Sequence, residues 1–133
     1  MSTTALPTEH QEQKAFFEWW EVWGAKLPYQ PFAIPNGGAR HIAVARKLKS
    51  EGVKSGVPDV FLPWPRNGFH GLFLEFKRRK GGSVSAAQKE VMESLRKAGY
   101  AVEVAHGWEE AVRIVKDYAF ADRREVEIEP RKI

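Results

Sequence analysis

The sequence predicts an α/β domain in which a small mixed β-sheet is flanked by helices. Segments with helical periodicity alternate with short apolar segments that have strand character, and glycine or proline separates most of them. The length of 133 residues, with 43% hydrophobic and 29% charged residues, is typical of one globular domain. The predicted order is helix, strand, helix, strand, strand, helix, strand, helix, as in an α/β sandwich.

The helices are predicted from apolar periodicity and from capping residues. The first runs from about Glu9 to Gly24, with Thr8 as N-cap and Gln11 at the capping-box position. Its apolar stripe contains Phe16, Trp20 and Trp23. The other predicted helices are "RHIAVARKLKSEG", "SAAQKEVMESLRKAGY" and "GWEEAVRIVKDYAF".

Four short apolar segments are predicted to be the strands of the sheet. They are "FAI", "DVFLPW", "GLFLEFK" and "AVEVA", and the middle two are expected to form a hairpin with a short loop. We assign residues 1–120 to the domain and residues 121–133 to a charged tail. That tail is expected to be either disordered or an arm that pairs with a partner chain.

Composition excludes several classes of protein. Cysteine is absent, which excludes disulfides and thiolate metal sites and favours a reducing cytoplasmic location. The sequence shows neither a secretory signal nor an apolar run long enough to span a bilayer, so no membrane partner is expected. The net charge of +4 permits a polyanionic partner.

Two neighbouring predicted strands each carry an acid, and the second also carries a lysine. Glu75 and Lys77 are two residues apart and therefore share a face, and Asp59 can lie close to Glu75. Two adjacent carboxylates repel each other, and Mg²⁺ relieves this repulsion by binding one or two carboxylates together with waters. With a lysine that stabilises developing negative charge, the set suits metal-assisted phosphodiester hydrolysis.

A simpler interpretation of the same residues stays open. Asp59 would cap a turn after Pro58, and Glu75 and Lys77 would pair with each other on an exposed face. The Pro-Asp pair, the strand–turn–strand context and the basic run "KRRK" favour the hydrolytic interpretation.

The chain from about Glu9 to Tyr118 resembles the virus-type replication-repair nuclease (VRR-NUC) domain of the PD-(D/E)xK superfamily. The resemblance rests on "GVPDVFLPW", "GLFLEFKRRKGG", "S-x-x-Q" in the next helix, "AGY-x-V" in the next strand and "GWEEA" after it. It implies a restriction-endonuclease-like core. The roles that it implies are metal ligands at Asp59 and Glu75, a catalytic lysine at Lys77, a site glutamine at Gln88, and a glutamate near the metal on the first helix.

Three acids compete for this first-helix position. At about 100° per residue, Glu9 falls in the middle of the apolar stripe, Glu12 at its edge, and Glu18 on the solvent side. An acid on an inward stripe needs a partner, which a metal would supply, so we predict Glu9 as a metal ligand and Glu12 as the alternative. A favourable interaction of Glu9 with the helix dipole would also explain its position.

Basic residues lie before and after the predicted site in the sequence. A solvated helix face explains such a run in isolation, but its position next to the site favours phosphate contacts. The chain has no zinc-finger, RNP or P-loop motif, so base-specific recognition is not indicated. The predicted nucleic-acid contacts are Asn36, Arg40, Lys47, Lys49, Lys54, Arg78, Arg79 and Lys80.

Together these features predict a Mg²⁺- or Mn²⁺-dependent DNA endonuclease in the cytoplasm of a bacterium or a phage-infected host cell. Stand-alone members of the resembled family look like four-way-junction resolvases, so we expect branched DNA, a role in DNA repair and a homodimer with two symmetric sites. The alternatives are a non-catalytic DNA-binding module and a flap- or exonuclease-type enzyme. Carboxylates in a phosphate groove would repel DNA, which argues against a pure binder.

Overall fold

The computed structural model describes residues 5–35 and 42–120, and this part of the chain contains the four predicted helices and four predicted strands in the predicted order. The α/β class is therefore confirmed. Asn36, Arg40 and the tail 121–133 lie outside the described residues. The elements are α1 (Glu9–Trp23), β1 (Phe32–Ala33), α2 (Ile42–Ser50), β2 (Val60–Leu62), β3 (Leu72–Lys77), α3 (Ala86–Lys97), β4 (Ala101–His106) and α4 (Trp108–Phe120).

The four strands form one mixed sheet in the order β1-β2-β3-β4. β1 with β2 and β2 with β3 are antiparallel, and β3 with β4 is parallel. β2 and β3 form the predicted hairpin. Their connection, residues 63–71, is longer than the short loop that was predicted. The extra length accommodates a small turn of its own, in which Arg66 bridges to Phe69 and Asn67 has a φ of 52°.

The core lies on the face of β3 that carries alternate apolar side chains. Leu72, Leu74 and Phe76 are buried there, and α1 and α4 pack against them. Burying each such side chain stabilises the fold by roughly 1.5–3 kcal/mol. The opposite face of β3 carries Glu75 and Lys77, and Gln88 of α3 forms hydrogen bonds with both. Among the described residues, no helix has both the length and the apolar character needed to cross a bilayer.

Capping residues set the beginnings of α1 and α3, and the capping box at α1 is the predicted one. Thr8 and Gln11 form a reciprocal capping box at α1, and Ser85 and Gln88 form another at α3. Each box satisfies backbone N–H groups that the first turn leaves unpaired. The register of both helices is therefore fixed at the end that lies nearest the predicted site residues.

The prediction that Glu9 lies on the buried side of α1 is wrong. Glu9 is exposed, whereas Glu12 is only 1% exposed. The buried row follows the four-residue spacing of Glu12, Phe16 and Trp20. At about 100° per residue, Glu9 lies between Phe16 and Trp20 around the helix, so its angle does not explain its exposure. Glu9 is the first residue of α1, and the buried row begins nearly one turn later, at Glu12.

Candidate active site

Asp59 lies directly before β2, where the hairpin brings it to β3. The register pairs Val60 with Leu74, and the next position along this ladder sets Asp59 opposite Glu75. Oδ2 of Asp59 accepts a hydrogen bond of 2.8 Å from the backbone N–H of Phe76. This contact holds the carboxylate of Asp59 against β3, next to Glu75.

Glu75, Lys77 and Gln88 form a closed network on the face of the sheet opposite the core. Lys77 Nζ lies 3.5 Å from Glu75 Oε2 and donates a 2.9 Å hydrogen bond to Gln88 Oε1. Gln88 Nε2 donates a 2.8 Å hydrogen bond to Glu75 Oε2. The amide therefore orients the acid and the lysine at the same time, because its two ends bind one each.

The start of α3 positions Gln88 for this role. Gln88 is the third residue of the helix, and its backbone N–H donates to Ser85 Oγ at 3.1 Å. Its Oε1 accepts from the backbone N–H of Ser85 at 2.9 Å while it also accepts from Lys77. The oxygen that caps the helix is thus the oxygen that binds the lysine. Helix register and site geometry are consequently coupled.

Glu75 has an unusual electrostatic environment. Burial raises the pKa of Glu75 to about 7, the charges of Asp59 and, less strongly, Glu9 add to this rise, and Lys77 opposes it. Glu75 is 2% exposed, and its Oε1 is buried and has no hydrogen-bond partner among the described residues. Such an atom is costly to bury, so this oxygen is suited to an added cation.

A divalent cation fits the pair formed by Asp59 and Glu75. Both residues supply hard carboxylate oxygens, and Mg²⁺ needs only one or two of these besides waters. Within the described part of the chain, no hydrogen-bond donor competes for Glu75 Oε1. No group of three or more His, Asp or Glu residues in residues 5–35 and 42–120 is close enough to hold an ion. The predicted third ligand, Glu9, affects the pKa of Glu75, but its role as a ligand stays a prediction.

Glu12, the alternative first-helix ligand, is engaged by other groups. Its carboxylate accepts two hydrogen bonds from Arg79 and one from the backbone N–H of Trp108. Burial would raise the pKa of Glu12, but these hydrogen bonds outweigh burial and hold the pKa below its usual value. Arg79 has a protein partner where the sequence predicted a phosphate, and its contact with DNA stays a prediction.

The other predicted basic contacts that the structure describes are exposed. They lie on α2, in the loop after it, and in the turn that follows β3: Lys47, Lys49, Lys54, Arg78 and Lys80. Because these side chains are exposed, a polyanion can reach them. Their contact with phosphate stays a prediction.

Sequence reasoning missed two contacts at and beside the site. The backbone N–H of Phe76 on Asp59 and the ion pair of Glu12 with Arg79 were not predicted. The spacing of Glu12, Phe16 and Trp20 is a signal that would have placed Glu12 inside. No comparable signal identifies Arg79 as its partner, since the two are separated by 67 residues.

The model of the VRR-NUC domain family matches residues 4–109, which is most of the chain. The chain belongs to the VRR-NUC family. A solved structure described as a VRR_NUC domain protein is similar to this VRR-NUC chain, with 27% identity and a TM-score of 0.71. The match covers 86% of this chain and 90% of that chain. No curated protein has significant similarity to it.

Membership in this family confirms the resemblance that the sequence motifs predicted. The VRR-NUC chain is a nuclease-type domain, and DNA is the substrate that such a domain implies. Its four-stranded mixed sheet with flanking helices is consistent with a PD-(D/E)xK-like core.

Proposed function

We propose that this VRR-NUC domain is a Mg²⁺- or Mn²⁺-dependent DNA endonuclease whose site consists of Asp59, Glu75, Lys77 and Gln88. The observation that carries the proposal is the buried, unpartnered Oε1 of Glu75 beside the carboxylate of Asp59. When bound, the cation supplies Lewis-acid stabilisation of negative charge at phosphorus and lowers the pKa of water.

Asp59 and Glu75 hold the ion, and the surrounding residues keep both carboxylates in position. The backbone N–H of Phe76 occupies Asp59 Oδ2. Gln88 Nε2 occupies Glu75 Oε2, which leaves Oε1 available. Fixed donors of this kind reduce the reorganisation that binding and catalysis would otherwise require.

Lys77 stabilises the charge that develops on the phosphate oxygens during hydrolysis. Its side chain is 9% exposed, so its charge is only weakly screened by water. The contacts with Glu75 and Gln88 fix the ammonium on the same face as the carboxylates. A preorganised cation in a partly buried site is more effective than a mobile surface lysine.

The finer proposal is selective cleavage of branched DNA, such as a four-way junction, by a homodimer. One acid–acid–lysine set lies in the described part of each chain, so symmetric cleavage of two strands requires two chains. A twofold axis would relate the two sites. The exposed cations on α2 and in the turn after β3 would contact the phosphates of the DNA arms.

The test is cleavage of labelled linear, flap, splayed-arm and four-way-junction DNA with Mg²⁺, Mn²⁺ or EDTA, together with the solution mass. We expect metal-dependent cleavage of the junction, loss of cleavage in Lys77→Met, and binding of DNA by that variant in Ca²⁺. Glu93→Gln, on the exposed side of α3, is the matched control and should cleave normally. Binding without cleavage of any substrate would favour the non-catalytic module, and cleavage of flaps or ends alone would favour the flap- or exonuclease-type enzyme.

A further inference from the structure

An ion-pair network built on the buried carboxylate of Glu12 lies next to the proposed site. Glu12 of α1 accepts hydrogen bonds from Arg79 Nε at 2.7 Å, from Arg79 Nη2 at 3.2 Å and from the backbone N–H of Trp108 at 3.0 Å. Arg79 Nη2 also donates to Glu109. We call Glu12, Arg79, Glu109 and the backbone N–H of Trp108 the Glu12 clamp.

The clamp joins three parts of the chain that are far apart in sequence. It links α1 to the turn after β3 and to the N-terminus of α4, where a carboxylate is favoured by the helix dipole. The fork of Arg79 matches the two oxygens of Glu12, an arrangement that fixes direction as well as distance. Glu12 is 1% exposed, whereas the side chain of Arg79 is 33% exposed, so water is excluded at the Glu12 end of the contact.

The clamp adjoins one residue of the proposed site, Lys77, and the predicted third metal ligand, Glu9. Arg79 follows Lys77 by two residues, and Glu12 follows Glu9 by three residues, which is nearly one turn of α1. The charge of Glu9 already acts on Glu75, although Glu9 itself is exposed and is not held by burial. The position of Glu9 therefore depends on how α1 is attached to the end of β3.

Resting on the proposed function, we infer that Arg79 and Glu12 are positioning residues that hold α1 and the end of β3 in the arrangement that binds the metal. Arg79 then acts through Glu12 and does not contact DNA phosphate. This interpretation differs in its consequences from the phosphate contact that the basic run suggests, because a phosphate contact contributes to DNA affinity and to its salt dependence.

The experiment compares Arg79→Lys and Glu12→Gln with wild type in three measurements: Mn²⁺ binding by calorimetry, kcat at saturating DNA, and DNA affinity in Ca²⁺ at several salt concentrations. Arg79→Lys keeps the charge but loses the fork. We expect roughly 10- to 100-fold losses of Mn²⁺ affinity and kcat, as for other residues that orient metal ligands, with the salt slope of DNA binding unchanged.

Two further variants calibrate these measurements. Arg113→Lys alters an exposed arginine that pairs with Glu110 on α4, and it should match wild type throughout. Arg78→Met removes an exposed cation of the predicted phosphate surface, and it should weaken DNA binding and reduce the salt slope by about one.

Normal Mn²⁺ affinity in Arg79→Lys, together with a salt slope that is reduced in Arg79→Met as it is in Arg78→Met, would overturn the inference and restore the phosphate contact. Thermal unfolding identifies variants that do not fold, and Glu12→Gln, which keeps an acceptor for Arg79 and Trp108, is then judged by the same criteria. If wild type cleaves no DNA, the proposed function fails, but Mn²⁺ binding still decides on the clamp. Equal Mn²⁺ affinities in wild type and both clamp variants would refute the inference that Arg79 and Glu12 position the metal site.

Discussion

Asp59 is bound to the strand that carries Glu75: its Oδ2 accepts a 2.8 Å hydrogen bond from the backbone N–H of Phe76, the residue after Glu75. The hydrogen bond fixes one carboxylate beside another that is buried. The negative charge of Asp59 contributes to raising the pKa of Glu75 to about 7, after the larger effect of burial. The site is therefore electrostatically unfavourable until a cation joins it.

Removing the charge of Asp59 should lower the pKa of Glu75. Asn at position 59 still offers an oxygen to the N–H of Phe76, so the backbone contact persists. Cleavage should fall by more than about 100-fold, since losing a metal ligand costs more than losing a residue that orients one. Carboxyl NMR titration of Asp59→Asn checks the pKa, with exposed Asp117→Asn as control. An unchanged pKa of Glu75 would show that the two carboxylates are independent.

Replacing Glu75 by Gln should stabilise the metal-free protein at high pH. Folding raises the pKa of Glu75 from 4.5 to about 7, so the free energy of unfolding of wild type falls as pH rises through this window. That difference corresponds to about 3 kcal/mol at most. In EDTA, Glu75→Gln should be more stable than wild type at pH 8.5 and equal to it below pH 4.5.

Thermal and denaturant unfolding measure this difference, and exposed Glu90→Gln should match wild type at both pH values. Saturating Mg²⁺ should stabilise wild type but not Glu75→Gln, because only the carboxylate binds the ion. A Glu75→Gln protein that is less stable than wild type at pH 8.5 in EDTA would contradict the assigned electrostatics.

The two roles of Gln88 should be separable by mutation. Gln88→Ala removes the amide from both Glu75 and Lys77, and cleavage should fall roughly 10- to 100-fold. Ser85→Ala removes the N-cap hydroxyl of α3 and should cost about 1 kcal/mol of stability. Because Ser85→Ala keeps the amide of Gln88, its loss of activity should be much smaller. Equal losses in the two variants would mean that Gln88 acts only through the helix.

Gly107 should be intolerant of a side chain because of Arg79. Its φ is 102°, and a Cβ there would lie 3.3 Å from Arg79 Cγ, which the Glu12 clamp prevents from moving away. Gly52 has a φ of 100° and nothing within 4 Å of its added Cβ, so Gly52→Ala is a matched control for backbone strain. Both alanines should cost roughly 1–3 kcal/mol of strain.

Gly107→Ala should therefore lower the free energy of unfolding more than Gly52→Ala does, and it alone should weaken Mn²⁺ binding. Denaturant unfolding and calorimetry measure the two effects. Equal destabilisation by both alanines, with equal Mn²⁺ affinity, would mean that Arg79 is free to shift and that the clamp is not rigid.

Local sequence rules predicted the parts of the site that depend on period and capping. Strand alternation placed Glu75 and Lys77 on one face, and the capping box of Thr8 and Gln11 fixed the start of α1. Helical periodicity failed for Glu9 and Glu12, because it gives angles around α1 but not how far along the helix the core extends. Glu9, the first residue of α1, lies within the buried arc and is nevertheless exposed.

The parts of the site that the sequence did not predict depend on contacts between residues that are far apart in the chain. Nothing near Arg79 in the sequence distinguishes it from Arg78 and Lys80, yet Arg79 pairs with Glu12 while the other two are exposed. Which of the three basic residues pairs with Glu12 depends on where α1 and α4 pack against the end of β3, and this packing is a property of the folded chain. A run of basic residues therefore predicts a charged surface more reliably than it predicts the role of each member.

The central claim is that Asp59 and Glu75 share one divalent cation. Crystals grown with Mn²⁺ at a concentration that supports cleavage would locate the ion by its anomalous scattering. We predict a peak within about 2.5 Å of Glu75 Oε1 and of a carboxylate oxygen of Asp59. A Mn²⁺ peak elsewhere on the chain, with both of these carboxylates free of metal, would contradict the account.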